Sequence, residues 1–191
     1  MNIFHLDTDP QVCAKAHCDK HVVKMILEYA QLLSTAHRML DGMETVRLSA
    51  NGRKMRHWQH PDAMHDRDLF MATHINHPCA VWARERVGNY LWLADLLTQL
   101  CREYTHRYGK RHSVESRCLA LLQNPPMNIN MDGKDWLEPH PFPQAMPEEY
   151  KVAGDSVLAY RQYYNGAKSR FAKWKNRETP LWYAPLHTTG A

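Results

Sequence analysis

From Asp19 to Leu40 apolar and polar residues follow one another in the rhythm of a helix. Val22, Val23, Met25, Ile26, Leu27, Tyr29, Ala30, Leu32, Leu33 and Ala36 cover most of the circumference. His21, Lys24, Glu28, Gln31 and Thr35 recur at three and four and share one narrow stripe. A helix that is apolar nearly all round is mostly buried. Polar groups on such a helix must be paired internally or open into a cleft. The stripe therefore reads either as an internal ladder, with Lys24 joined to Glu28, or as a site lined by Glu28, His21 and Lys24.

The elements on either side follow from capping residues and period. Residues 2–6, "NIFHL", form a short strand or an extended lead-in, and Asp9-Pro10 starts a first helix, with Asp as cap and Pro in the first turn. Gly42 stops the long helix. Residues 43–68 are polar, charged and rich in histidine, a loop with short helical pieces. "THINHP" (73–78) ends in a proline that opens the next helix. From Cys79 to Tyr108 the apolar positions recur at three and four until Gly109 closes the run. Ser113 caps a shorter helix to Gln123. Residues 124–154 have prolines and turn residues but no period, a long loop of the kind that often carries function. Asp155 caps a basic, aromatic helix extending to about 175, followed by the tail "TPLWYAPLHTTGA". The pattern predicts an all-α, or mainly α, single domain over 1–191 with little or no β structure.

Composition narrows the class. The 191 residues suffice for one domain with a real core. No apolar run approaches the ~20 residues of a membrane span. Five cysteines without a C-x-x-C pair argue for a reducing cytoplasm and against a disulfide framework or a zinc knuckle. The net charge is +4, but the segment from Lys151 to Arg177 carries seven Lys or Arg against one Asp, interleaved with Tyr160, Tyr163, Tyr164, Phe171 and Trp174. Such a segment suits a phosphate backbone with exposed bases to stack. It is equally the pattern of an amphipathic helix with an aromatic core face.

Two metal readings arise from the histidines. Cys13, His17 and His21 fall on one face if the first helix is continuous, and H-x-x-x-H is a zinc-like spacing. Alternatively, His65-Asp66 with His37, His74 or His77 suggests a metal-dependent nucleotide phosphohydrolase of helical HD type. Thirteen histidines produce such spacings by chance, so no metal ligand is assigned.

At "DKHVVKMILEYAQLLSTA" the sequence resembles the pyrimidine-dimer DNA glycosylase family, the endonuclease V type of viral repair enzyme. About twenty residues match in detail: Asp19, His21 and Glu28 fall into the family's order of polar residue, His and catalytic Glu. "THINHP" and "TPLWYA" are similar in kind to its second helical region and aromatic C-terminal segment. The resemblance implies an all-helical fold that kinks duplex DNA and exposes a damaged base. An N-terminal amine then displaces the base at C1′, forms a Schiff base and cleaves the backbone, without a cofactor. α-Amines have a reference pKa of about 7.7–8.0, and a carboxylate can stabilise a cationic sugar.

The resemblance makes Glu28 the catalytic carboxylate and His21 its neighbour, with Lys24 beside them. Residue 2 is Asn, after which Met1 is expected to stay. The nucleophile is thus the Met1 amine, Lys20 or Lys24, or water activated by Glu28. The family's arginine cluster beside the Glu is missing, since Leu27 and Gln31 flank Glu28. Asn2, Lys20, Gln31, Thr35, His74, Asn76 and His77 are expected to line the site. Tyr160, Arg161, Lys168, Lys173, Trp174 and Trp182 are expected to hold the backbone and stack on bases. The reading is a DNA N-glycosylase with possible lyase activity, acting on double-stranded DNA or an extruded base in the cytoplasm of a bacterial host. The alternatives are the HD-type phosphohydrolase and a non-enzymatic nucleic-acid binder.

Overall fold

Helix α2 (Asp19–Asp41) runs through the middle of a mainly helical molecule. The computed structural model describes residues 1–184. As the apolar pattern requires, Val22, Met25, Ile26, Tyr29, Leu32, Leu33 and Ala36 of α2 are buried. It packs against α4 (Pro78–Glu85) and α5 (Val87–Tyr108). The short α1 (Pro10–Ala16) lies on α5, its first turn capped by the Asp9 carboxylate, which accepts from the Val12 N–H at 2.9 Å. No helix among the described residues is long and apolar enough to cross a membrane.

The N-terminal lead-in is not a strand. Ile3, Phe4 and Leu6 are buried individually in the core. They are held by a chain of hydrogen bonds: the Phe4 N–H donates to the Tyr29 hydroxyl (3.0 Å), which faces His17 Nε2 (3.1 Å), while His17 Nδ1 pairs with the Cys13 carbonyl (2.7 Å). This arrangement fixes the neutral His17 with its proton on Nδ1. Burial holds its pKa down to about 4, so the ring stays uncharged.

The run 79–108 is two helices, not one. At Arg86 the backbone is extended (φ −155°, ψ 162°). The 124–154 loop enters this break: the Val87 and Gly88 N–H groups donate to the carbonyls of Asn130 (3.0 Å) and Trp136 (3.1 Å). A Cβ on Gly88 would lie 2.5 Å from the Leu137 carbonyl oxygen, so only glycine admits the loop. The loop buries Ile129 and Met146 against the core, leaves 130–138 exposed, and has one 3₁₀ turn at Glu148–Tyr150.

Residues 43–59 correct the expectation of a loop with helical pieces. Met43–Leu48 (β1) and Lys54–Gln59 (β2) form an antiparallel hairpin, in register from Met43 opposite Gln59 to Leu48 opposite Lys54. Ser49–Gly52 makes the turn, the Gly52 N–H donating to the Ser49 carbonyl at 2.9 Å, with Gly52 left-handed at φ +72°. Both faces of the hairpin are largely exposed, Val46 and Leu48 included, so no burial alternation marks it. Helix α3 (Ala63–Asp68) follows. After α5 come a π-helical turn (Glu115–Leu119) and the short α6 (Ala120–Leu122).

The C-terminal helix is shorter than its charge pattern suggests. α7 (Ser156–Tyr163) passes into a π-helical turn (Tyr164–Lys168), and turns follow to Trp174. Gly166 allows Tyr150 to press on this turn; a Cβ there would sit 2.6 Å from the Tyr150 ring. The segment after it is tied to the body by a buried ion network. Arg107, fully enclosed, binds Glu103 (2.6 Å) and Asp19 (2.9 Å), and Arg177 reaches the same Glu103 (2.9 Å).

Candidate active site

A small pocket opens where the lead-in crosses α2, lined by Met1, Asn2, Phe4, His21, Lys24, Met25, Glu28 and Lys168. Its position follows from the packing above: with Ile3 and Phe4 anchored in the core, the Met1 amine falls over the polar stripe of α2. The amine nitrogen lies 3.8 Å from Glu28 Oε2 and Lys24 Nζ lies 3.0 Å from Oε1. Glu28 is 15% exposed and Lys24 68% exposed. One carboxylate thus faces an amine inside the pocket and a solvated ammonium at its rim.

His21 forms the wall. Its ring stacks on Phe4 with centroids 4.2 Å apart, meets Phe171 edge-on at 5.7 Å, and pairs through Nδ1 with the buried Tyr164 hydroxyl. Burial is the main cause that holds its pKa down to about 2, helped by His17, Lys168 and Lys24, so the imidazole is neutral. His77 approaches from the start of α4, where its Nδ1 accepts the Cys79 N–H at 3.2 Å. Burial, the Met1 amine and His74 lower its pKa, while the charge of Glu28 opposes them. His74 holds a left-handed backbone (φ +49°) in the preceding turn, and Asn76 is exposed beside it.

The rim is basic. Lys20 lies over the Phe171 ring at 4.9 Å and Arg170 flanks the same ring at 5.9 Å. Lys168 sits over Tyr163 at 4.2 Å and donates to its hydroxyl at 2.9 Å. α2 has Lys24 beside Glu28 but no arginine cluster there, and the distant 168–170 segment adds Lys168 and Arg170 to the rim. Chemically, the pocket offers an amine, a carboxylate and the neutral His21 imidazole under a rim of cations, a set suited to a sugar–phosphate substrate that develops positive charge.

A family model described as pyrimidine dimer DNA glycosylase matches residues 1–116. The chain belongs to this family. No curated protein and no solved structure matches it. Membership carries the general role of a DNA glycosylase, with DNA as substrate. The glycosylase match covers the lead-in, α2 and the His74–His77 turn, while Lys168, Phe171 and Tyr164 lie beyond it.

Several residues expected to line the site are placed elsewhere. Thr35 is buried two turns past Glu28, its hydroxyl donating to the Gln31 carbonyl (2.7 Å) and accepting the Thr73 N–H (3.2 Å); it anchors the 73–77 turn. Gln31 is half-buried between them. Asn2 lines the pocket, but its amide donates to the Ala145 carbonyl at 2.7 Å and so holds the long loop.

Tyr160 and Trp174 are corrections. Tyr160 is fully buried, with its hydroxyl on the Pro143 carbonyl at 2.9 Å. Trp174 is 9% exposed and donates its indole N–H to the Ala16 carbonyl at 3.0 Å. Both are core residues and cannot stack on a base. Arg161 is bound to Asp7 (3.0 Å) and the Leu6 carbonyl (2.9 Å), bracing the lead-in. Lys173 is exposed. Trp182 is half-buried against Tyr164 and Arg161. The end of the aromatic tail, 185–191, lies outside the described residues.

Neither metal reading assembles as spaced. His17 and Cys13 are engaged as described, Cys13 Sγ on the Phe4 carbonyl (3.3 Å), and the chain breaks between α1 and α2. Asp66 is bound to Arg38 at 2.8 Å and accepts the His60 N–H at 3.0 Å, so it is not free to act with His65 as an HD pair. Asp19, part of the matched motif, is likewise held by Arg107 and the Lys175 N–H. Tyr164 and Phe171, which shape the wall around His21, look in sequence like any aromatics of a basic helix.

Proposed function

We propose that the chain is a DNA N-glycosylase with lyase activity, in which the Met1 α-amine is the nucleophile and Glu28 the essential carboxylate. The observation that carries the reading is the amine at 3.8 Å from Glu28 Oε2 in a pocket with a basic rim. The neutral amine donates its lone pair to C1′ as the C1′–N bond to the base breaks, and the bonding pair leaves with the base, which takes up a proton. The new C1′ ammonium gives a proton to Glu28. Ring opening transfers the C1′–O4′ pair to oxygen, which is protonated, and leaves an iminium between the amine and C1′. Loss of a C2′ proton then expels the 3′ phosphate, and water releases the enzyme. Glu28 counters the positive charge at the sugar. Lys20, Lys24, Lys168 and Arg170 hold phosphates on either side of the extruded nucleotide.

Borohydride reduction during turnover on duplex DNA containing a pyrimidine dimer or an abasic site tests the nucleophile. A trapped protein–DNA adduct mapping to the N-terminal peptide is expected. Mapping to Lys20 or Lys24 would move the role to that lysine. Base release with no adduct would make water the nucleophile and remove the lyase step.

A further inference from the structure

At the far end of α2 from the pocket, histidines from three segments converge around one carboxylate. His37 and Asp41 stand one turn apart on the last turns of the helix; His60 directly follows β2, and His65 lies on α3. His37 Nδ1 and His60 Nε2 are each 3.9 Å from Asp41 Oδ2. Both nitrogens are buried and have no hydrogen-bond partner, in side chains only 2% and 7% exposed. A buried polar atom without a partner is costly, and two aimed at one carboxylate make a place suited to a cation.

The ring positions agree. Ligands ~2.0–2.1 Å from a tetrahedral ion lie roughly 3.4 Å apart, and imidazoles sharing it have ring centres roughly 5 Å apart. The observed centroid separations are 4.7 Å for His60–His65, 5.3 Å for His37–His65 and 6.1 Å for His37–His60. Closing the 3.9 Å gaps by about half an ångström is within side-chain rotation. His65 lies with His60 and Asp62 rather than with His37 and Asp41, and its ring, 15° from the His60 plane, swings further to join them.

The surrounding groups orient the ligands as in metal sites. His37 Nε2 faces the Asn124 carbonyl (3.1 Å) and the Tyr90 hydroxyl (2.9 Å); with its proton there, Nδ1 keeps its lone pair. The Asp62 carboxylate takes His65 Nδ1 at 2.7 Å, leaving Nε2 to donate. Asp41 is held by the N–H groups of Met127 (2.9 Å) and Asn128 (3.0 Å). His60 Nδ1 accepts the Asp62 N–H at 3.1 Å. Binding through Nε2 shifts the ring proton to Nδ1 and exchanges that contact for the Asp62 carboxylate, which lies within 4.8 Å of the His60 and His65 nitrogens.

We propose that His37, Asp41, His60 and His65 bind one Zn²⁺ ion in a closed, four-ligand structural site. Three imidazoles and a carboxylate suit zinc. Its place in the fold gives it a role. Asp41 lies one residue, Gly42, ahead of the hairpin and His60 immediately follows it, so the ion clamps the hairpin neck to α2. The hairpin carries Arg47, Arg53, Lys54 and Arg56 against Glu44. The clamp therefore fixes a basic arm relative to the helical body.

The test is zinc content and Co²⁺ spectroscopy of the full chain, stripped by chelator and reloaded with ZnCl₂ or CoCl₂. One equivalent per chain is expected, with the intense visible bands of tetrahedral Co²⁺ and a higher melting temperature with zinc than without. His65→Gln, on a partly exposed short helix, should fold by far-UV circular dichroism and lose the bands. His37→Gln should lose the equivalent of zinc. Glu28→Gln should keep full zinc binding whatever happens to base release, which separates this site from the glycosylase pocket. No uptake by the wild-type chain, only the weak spectrum of six-coordinate Co²⁺, or full uptake by His65→Gln and His37→Gln would overturn the proposal.

Discussion

Glu28→Gln separates catalysis from folding because the structure assigns different magnitudes to each. The exchange is isosteric and removes one negative charge. A unit charge at 4 Å from a cationic sugar interacts by about 4 kcal/mol at the effective permittivity of a site near the surface, which corresponds to about 10³ in rate. Single-turnover base release from a pyrimidine-dimer duplex should fall by that factor. The cost to folding should be small. Lys24 is 68% exposed, so its i,i+4 pair with Glu28 contributes about 0.3–0.5 kcal/mol. Even with the Met1 interaction lost as well, the total stays under about 1 kcal/mol, a drop of less than about 4 °C in melting temperature for a chain of this size. DNA affinity, set by the rim cations, should be nearly unchanged. Base release within about threefold of wild type by a folded Gln variant would refute the catalytic role. A fall of more than about 8 °C with normal turnover would instead make Glu28 a structural partner.

Trp174→Ala should cost about 3–5 kcal/mol of stability in urea unfolding, because a core indole is removed, while the salt dependence of DNA binding below the transition stays as it was. A stable variant with weakened DNA binding would return Trp174 to the interface. Stability should also fall as the pH drops below neutrality, because burial depresses the folded-state pKa of His17 to about 4 from the ordinary histidine value of about 6.5. Between those values the unfolded chain binds a proton that the folded chain refuses. The stabilisation is whole above about pH 6.5 and is lost progressively towards pH 4, by about 3 kcal/mol for this residue. His17→Gln should flatten the slope of unfolding free energy between pH 6.5 and 4 by about one proton; an unchanged slope would show that His17 is not the titrating group.

The elements that formed from continuous local pattern were legible in the sequence. The stripe of α2, the Asp9-Pro10 start, the stop at Gly42 and the apolar rhythm of α5 all report the burial of one segment along its own length. The spacing of His21, Lys24 and Glu28 on one stripe was visible for the same reason. Tertiary structure decided whatever depends on which distant segments meet. The stripe says nothing about the Met1 amine, which reaches Glu28 only because Phe4 and Ile3 are buried and the His17–Tyr29 pair holds the lead-in. The break at Arg86 is filled by the carbonyls of Asn130 and Trp136 in the 124–154 loop, distant in sequence from the Val87 and Gly88 N–H groups they accept. The hairpin lacked an alternating pattern because most of it is exposed, with only His57 and Trp58 buried, and the glycine after Asn51 was its one local turn signal. Tyr160 and Trp174 show the limit most clearly: an aromatic among lysines has the same sequence signature whether it packs inward or stacks on a base. His37 and Asp41 share a helical face in the sequence, but their meeting with His60 and His65 is set by hairpin closure. Local periodicity records how one segment meets its surroundings, whereas a site built from several segments exists only once the chain between them has closed.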